Sequence, residues 1–245
     1  MISDNKYIVP ALIISIFFIL STLIISEAWR NHTRTNQTIT VTGSAKKLII
    51  SDLGILKITL TSTGSNQQDA YKALTRQIPV LKEFLIQNGI SSDSIDEKSP
   101  TSYPVYEVNP AGYQTSKILY FVYTQNFDVL SKDVDKIKKL SLDINQLLDK
   151  GLNFQQILPE YHYTKIGELK IEIQAEAAKD AMERAKRIAE STGSKLGNLR
   201  TARMGVLQIT PKFSTMISDY GINDLSSIEK EITAVVNASF EIKWD

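Results

Sequence analysis

Cysteine is missing from this chain of 245 residues, and histidine occurs only at His32 and His162. Without thiols there is no disulfide, no Cys-ligated zinc, no iron–sulfur cluster and no thiol nucleophile. An excess of one charge is missing too. The 28 Lys and Arg nearly balance the 27 Asp and Glu, which argues against a dedicated nucleic-acid binder. The nucleotide cradles G-x-G-x-x-G and G-x-x-x-x-G-K-[ST] do not occur, and no two His stand at i,i+4 for a zincin-like metal site. Gly193-Ser194-Lys195-Leu196-Gly197 has its Ser one place too early for a nucleophile elbow. It follows a helical stretch rather than a strand, so it reads as a helix end. No cofactor or metal is expected, and no catalytic residue is assigned.

The N-terminus is more informative. Tyr7 to Ser26 reads YIVPALIISIFFILSTLIIS and carries no charge. A helix of ~20 such residues spans one hydrocarbon core. Ile14, Phe17, Phe18, Leu20 and Ile24 are its apolar body, and Tyr7 and Trp29 bracket it as interfacial aromatics. Residues 1–30 are expected to be an uncleaved signal-anchor. The rival is a signal peptide cleaved after Ala28, although secretory apolar regions are usually ~7–15 residues. Lys6 lies before the span and Arg30 and Arg34 after it, so charge alone sets no topology. Residues 31–37 read as a polar tether.

The body, 38–245, reads as one domain, with two lobes divided near Gly151 as an option. Thr38–Ser44 alternates as a half-buried strand, and Ile55–Thr63 buries Leu56, Ile58 and Leu60. Ser65-x-x-Gln68 is a capping-box pattern ahead of a helix carrying Ala70, Leu74, Ile78, Leu81 and Leu85. Pro79 should kink or split that helix. Strands near 103–108 and 118–129 flank the turn Asn109-Pro110-Ala111-Gly112 and form an antiparallel hairpin. A second helix covers about 131–149, Phe154–Tyr163 is a strand, and the longest helix covers about 167–192 with Ile173, Ala177, Ala181, Ala185 and Ile188 in its packing stripe. Leu196–Ile209 gives one or two strands. The last strand buries even positions from Ile232 to Trp244. Strands interleaved with about three helices define an α+β class with antiparallel sheet.

Chemistry has few places to sit. His162 beside Glu160 is a conceivable general base, but a structural His is the expectation. Asp93, Asp96 and Glu97, and Asp133 with Asp135, read as solvated acids or helix starts. Seven of the ten tyrosines fall between 103 and 163, where cross-strand packing is the expectation and a contact face the alternative. Residues 211–227 form a long connection carrying Phe213, Met216, Ile217, Tyr220 and Ile222. A polar loop has no use for such residues, so they either dock on a partner or neighbouring subunit, as the candidate interaction loop, or fold back on the chain's own core.

Ile39-Thr40-Val41-Thr42-Gly43-Ser44-Ala45, Ser51-Asp52, Asn88-Gly89-Ile90, Gly112-Tyr113 and the Ala-rich helix 175–189 leading into Gly193–Gly197 form a diffuse pattern. Over about 38–245 the chain resembles the SIMPL-domain (DUF541) family of bacterial periplasmic or envelope proteins, which has an oxidative-stress-associated branch. It departs at Gly43-Ser44-Ala45 and Ser51-Asp52, where the family usually has Gly-Glu-Gly and Pro-Asp. Both departures read as turn-level. The resemblance implies an exported α+β domain, often self-associating, with no established catalytic residues to carry over. The expected protein is a non-catalytic interaction or scaffold module, tethered to the inner membrane by its N-terminal helix with the domain outside the cytoplasm. Its expected partners are the membrane, a second copy and a protein partner for the loop, and not nucleic acid. A hydrolase acting through His162 and a small-ligand or lipid carrier are the alternatives. The last strand, Ile232–Trp244, would pair copies if it lay at a sheet edge.

Overall fold

The computed structural model describes residues 5–35 and 37–243, with side chains described for residues 12–28 and 37–243. Helix α1 (Asn5–Thr35) runs through the apolar segment and on through most of the polar segment that follows. Contacts divide the chain into two units. The first holds residues 1–46, 170–207 and 233–245, the second 47–169 and 208–232. The division therefore does not fall at Gly151. Strands β1 (Thr38–Ile50) and β11 (Glu229–Lys243) are long enough to contribute residues to both units.

In the first unit, β11 lies between β1 and β8 (Lys195–Met204), and most of helix α5 (Ile166–Ser191) belongs to the same unit. Ile232, Ala234, Val236, Ala238 and Phe240 are buried at the expected even positions. Trp244 lies outside the described residues. Strand β1 runs past Ser44, so Gly43 sits inside a strand rather than in a turn. The reason is steric. A Cβ on Gly43 would lie 2.3 Å from both the Ala177 carbonyl oxygen and the Ala181 amide nitrogen. Ala177, Ala181, Ala185 and Ala189 are buried at i+4 intervals, while Ile188 of the expected stripe is exposed, because a spacing of four carries the buried face to Ala189; with Gly43 the alanines let strand and helix approach closely. The Ser44 N–H donates to Asp180 Oδ2 at 2.8 Å across the same contact, and Arg184 Nε reaches that oxygen at 2.7 Å.

The second unit has a larger apolar core. Strand β2 (Leu53–Gly64) pairs antiparallel with β5 (Gln114–Ser131), bringing Leu56 opposite Val129 and Ile58 opposite Phe127. These side chains pack with Leu74, Leu81 and Leu85 of α2 (Gln67–Gln87) and Ile137 and Leu140 of α3 (Val134–Asp143). Helix α2 passes Pro79 as one element. Its cap is Asn66, whose Oδ1 accepts from the Asp69 N–H at 2.9 Å, one residue later than the expected Ser65. The expected second helix stops at Asp143, and a short α4 (Gln146–Asp149) follows. Strands β3 (Ile95–Glu97) and β4 (Thr101–Val108) also pair with β5, while β6 (Phe154–Gln156) and β7 (Glu160–His162) pair with β2. The expected strand at 154–163 is broken because Pro159 has no N–H to give a ladder. Strand β9 (Gln208–Pro211) pairs in parallel with β10 (Ile222–Asn223). The α+β class with two sheets therefore holds.

Candidate functional site

The second unit carries the most distinctive arrangement, on the segment between β9 and β10. Those two strands bring Gln208 opposite Ile222 and Ile209 opposite Asn223, so residues 212–221 leave and return at one place. At the tip Phe213 and Ile217 are each 84% exposed, Met216 is 65% and Tyr220 is 97%. Phe213 sits at φ 67°, in the left-handed region that costs a β-carbon residue roughly 1–2 kcal/mol. Strain of this kind persists only where the surroundings over-determine it. Ile222, the fifth candidate, is half-buried in β10 and belongs to the base rather than the tip.

The base is polar, with Gln208 and Lys230 buried. Gln208 Nε2 donates to the Ser218 carbonyl at 2.7 Å. The Lys212 N–H donates to the Glu229 carbonyl at 3.2 Å, and its ammonium reaches Glu229 Oε2 at 2.6 Å. That ammonium also stands 5.1 Å from the Phe213 ring centroid, within cation–π range. Below it, Lys230 is only 2% exposed. Its Nζ donates to the Tyr161 carbonyl at 2.5 Å and to the Asp224 carbonyl. One amine thus ties β7, the end of the loop and β11 together. Burial pushes the Lys230 amine below its ordinary range, against the opposing charge of Asp224. Burial alone would raise Asp224, but the hydroxyls of Ser227 and Ser226 and the Ser226 N–H outweigh it and hold the carboxyl below its ordinary value. An open pocket of ≈ 530 Å³ adjoins this base, lined by Asp135, Lys138, Tyr161, Lys212, Ser227 and Glu229 among others.

Lys230 was not among the candidates drawn from the sequence, yet its parity betrays it. It continues the even-numbered buried series of Ile232 and Ala234, so a charge there has to be buried.

The other candidates fall as follows. His162 and Glu160 do meet, with Nε2 3.2 Å from Oε2. The other Glu160 oxygen is held by Lys57 Nζ at 2.5 Å. That bond, with the one from His162, keeps the Glu160 carboxyl below its ordinary value despite partial burial. Glu97 pairs with Lys82 at 2.5 Å, and Asp96 pairs with Lys98. Asp133 caps α3, accepting from the Lys136 N–H at 3.0 Å. Gly193 closes α5 at φ 74°, and the Ser194 N–H returns to the Ala189 carbonyl, so this look-alike is a helix end. Among the described residues no three His, Asp or Glu come together to hold a metal. On α1, Ile14, Phe17, Phe18, Leu20 and Ile24 are exposed; the side chains of Tyr7 and Trp29 lie outside the described residues. Among the described residues no helix is long and apolar enough to cross a membrane. The side chains described on α1 cover 12–28, less than the apolar run in the sequence.

The cross-strand packing expected of the tyrosines holds for Tyr103, opposite Val122, and Tyr120, opposite Val105, and Tyr161 is buried. Tyr123 also meets Tyr71 of helix α2, ring to ring at 5.6 Å, and Tyr113 stands exposed at the turn. The expected route to self-association through the last strand is also overturned. Strand β11 has β1 on one side and β8 on the other, so it offers no edge.

Fold and site together define an α+β domain with a braced apolar loop. The chain belongs to the SIMPL family, described as a protein of unknown function (DUF541), whose model matches residues 39–240. No curated protein matches it.

Proposed function

We propose that this protein is a membrane-anchored, extracytoplasmic, non-catalytic interaction module that self-associates, with the 212–221 loop docking on a neighbouring copy. The observation that carries the reading is the contrast between the exposed apolar tip and its buried polar base. Apolar side chains held out on a fixed base lose little entropy on docking, which is how preorganised contacts gain affinity. Association through such a tip buries Phe and Tyr, the residue types enriched at interface cores.

The anchor rests on the uncharged run Tyr7–Ser26 and on the exposed apolar side chains of α1. The full chain should stay in the membrane fraction through alkaline extraction; its release would remove the anchor. A role in the envelope or in oxidative-stress response is the corresponding biological setting.

Sedimentation of the full chain in detergent tests the module itself. Wild type should form a stable oligomer, and serine at Phe213, Met216, Ile217 and Tyr220 should shrink it without unfolding the protein. A wild-type monomer at every concentration contradicts self-association. An unchanged oligomer in the serine variant overturns docking of the loop on a neighbouring copy.

A hydrolytic reading starts from the Glu160–His162 contact. A His162→Ala variant that kept its fold and lost a screened activity would favour it; unchanged activity removes it.

A further inference from the structure

Strand β5 is longer than the strand that supports it. Its residues Phe121–Ser131 pair with β2, but β2 ends at Gly64, opposite Phe121. From Gln114 to Tyr120, β5 has only β4 beside it. Among the described residues no strand covers the other edge of that stretch. The result is a two-stranded arm, closed by a turn in which Asn109 Oδ1 accepts from the Ala111 and Tyr113 N–H groups at 3.0 and 2.9 Å.

A two-stranded ribbon alone in water is marginal. This one is also apolar. Its cross-strand pairs are Tyr103 with Val122, Val105 with Tyr120 and Tyr106 with Ile118. Tyr103, Val108, Ile118, Leu119 and Tyr120 are between 39% and 61% exposed, and Tyr113 at the tip is 72% exposed. Proteins usually blunt such an edge with charge or proline. Pro104 does so on β4, where it removes one N–H. On the β5 stretch the one charge is Lys117, and its ammonium is drawn across the arm to Glu107 at 2.9 Å.

We infer that the uncovered edge of β5, Gln114–Tyr120, is a self-pairing surface whose partner is the same edge of a second copy. This inference rests on the self-association reading and names a surface for it distinct from the loop. A strand edge with an apolar flank is complementary to another strand, which makes a protein chain its natural occupant. Ile118, Leu119 and Tyr120 on the open strand and Tyr113 at the tip expose on the order of 400 Å² of side chain per copy, and pairing of the main chains adds to it, which places the contact at the small end of specific interfaces. The contact is isologous and closes at a pair of copies. A register centred on Ile118 sets Lys117 opposite Leu119 and keeps the two lysines apart, whereas a register centred on Lys117 would oppose like charges.

The absence of cysteine gives a direct test on the full chain in detergent. Ile118→Cys should form a covalent dimer under mild oxidation, and Glu190→Cys on α5 should not. Leu119→Pro, which interrupts the β5 stretch, should lower the mass seen in sedimentation. Leu119→Lys serves as a second variant should the proline disturb the hairpin. If wild type is oligomeric but Ile118→Cys gives no more covalent dimer than Glu190→Cys, the arm inference falls while self-association stands. If wild type is monomeric, both fall.

Discussion

The base and the tip of the 212–221 loop are made of opposite materials. At the base Lys230 is buried and Asp224 and Ser227 are half-buried, bonded to one another or to main chain. At the tip Phe213, Met216, Ile217 and Tyr220 stand in solvent. In most domains the apolar groups are inside and the charges outside. The inversion separates two tasks. The base fixes where the loop stands, through bonds that fail together if one donor is removed. The tip supplies contact area and adds little to the fold. Stability should therefore respond to the base, and association to the tip.

The largest effect is expected at Lys230. Lys230→Ala leaves two main-chain carbonyls without their donor and opens a cavity, and should lower unfolding free energy by about 2–5 kcal/mol. Lys230→Met keeps most of the volume and should cost about 1–3 kcal/mol in the same denaturant titration. If both variants match wild type, the amine does not hold the base.

Gly43→Ala is the contrast from the other unit. Its methyl group would collide with the Ala177 and Ala181 backbone. Overpacking of this kind costs about 1–3 kcal/mol or more, because backbone cannot move aside as a flexible side chain can. Thermal unfolding should show the loss, while the oligomer formed by the folded fraction stays unchanged.

Acid should loosen the base before it affects the tip. Asp224 has a folded value below its ordinary 3.8. The folded state thus binds fewer protons than the unfolded state in the window below about pH 4. The stabilisation is complete above that range and is lost as pH falls through the folded value. Glu160 adds in the same direction from its ordinary 4.5. Asp224→Asn should flatten part of this acid limb in stability measured against pH.

Phe213→Gly removes a left-handed phenylalanine and should raise stability by up to about 1–2 kcal/mol while weakening association. The smallest stability change is expected for serine at Met216, Ile217 and Tyr220, within about 0.5 kcal/mol. A large loss there would mean that the tip belongs to the fold.

Period-two alternation made β2 and β11 legible, because each buries one face and so fixes which side chains turn inward. The loop was legible by its composition, since Phe213, Met216, Ile217 and Tyr220 have no place in a solvated connection. Gly43 was misread as part of a turn, because its reason lies in an Ala-rich helix more than a hundred residues away in the chain. The position of β11 between two strands was not legible either, since alternation says which face is buried and nothing of which edges are paired. The β4–β5 arm escaped for a related reason. Its tyrosines fit a strand equally well whether or not a neighbouring strand covers them, and only the end of β2 at Gly64 shows that none does.

Sedimentation of the full chain in detergent, across a wide concentration range, with wild type beside the variant carrying serine at Phe213, Met216, Ile217 and Tyr220, tests the central claim most directly. The account predicts a stable oligomer for wild type and a smaller species of unchanged stability for the variant. A strict wild-type monomer at every concentration would contradict it.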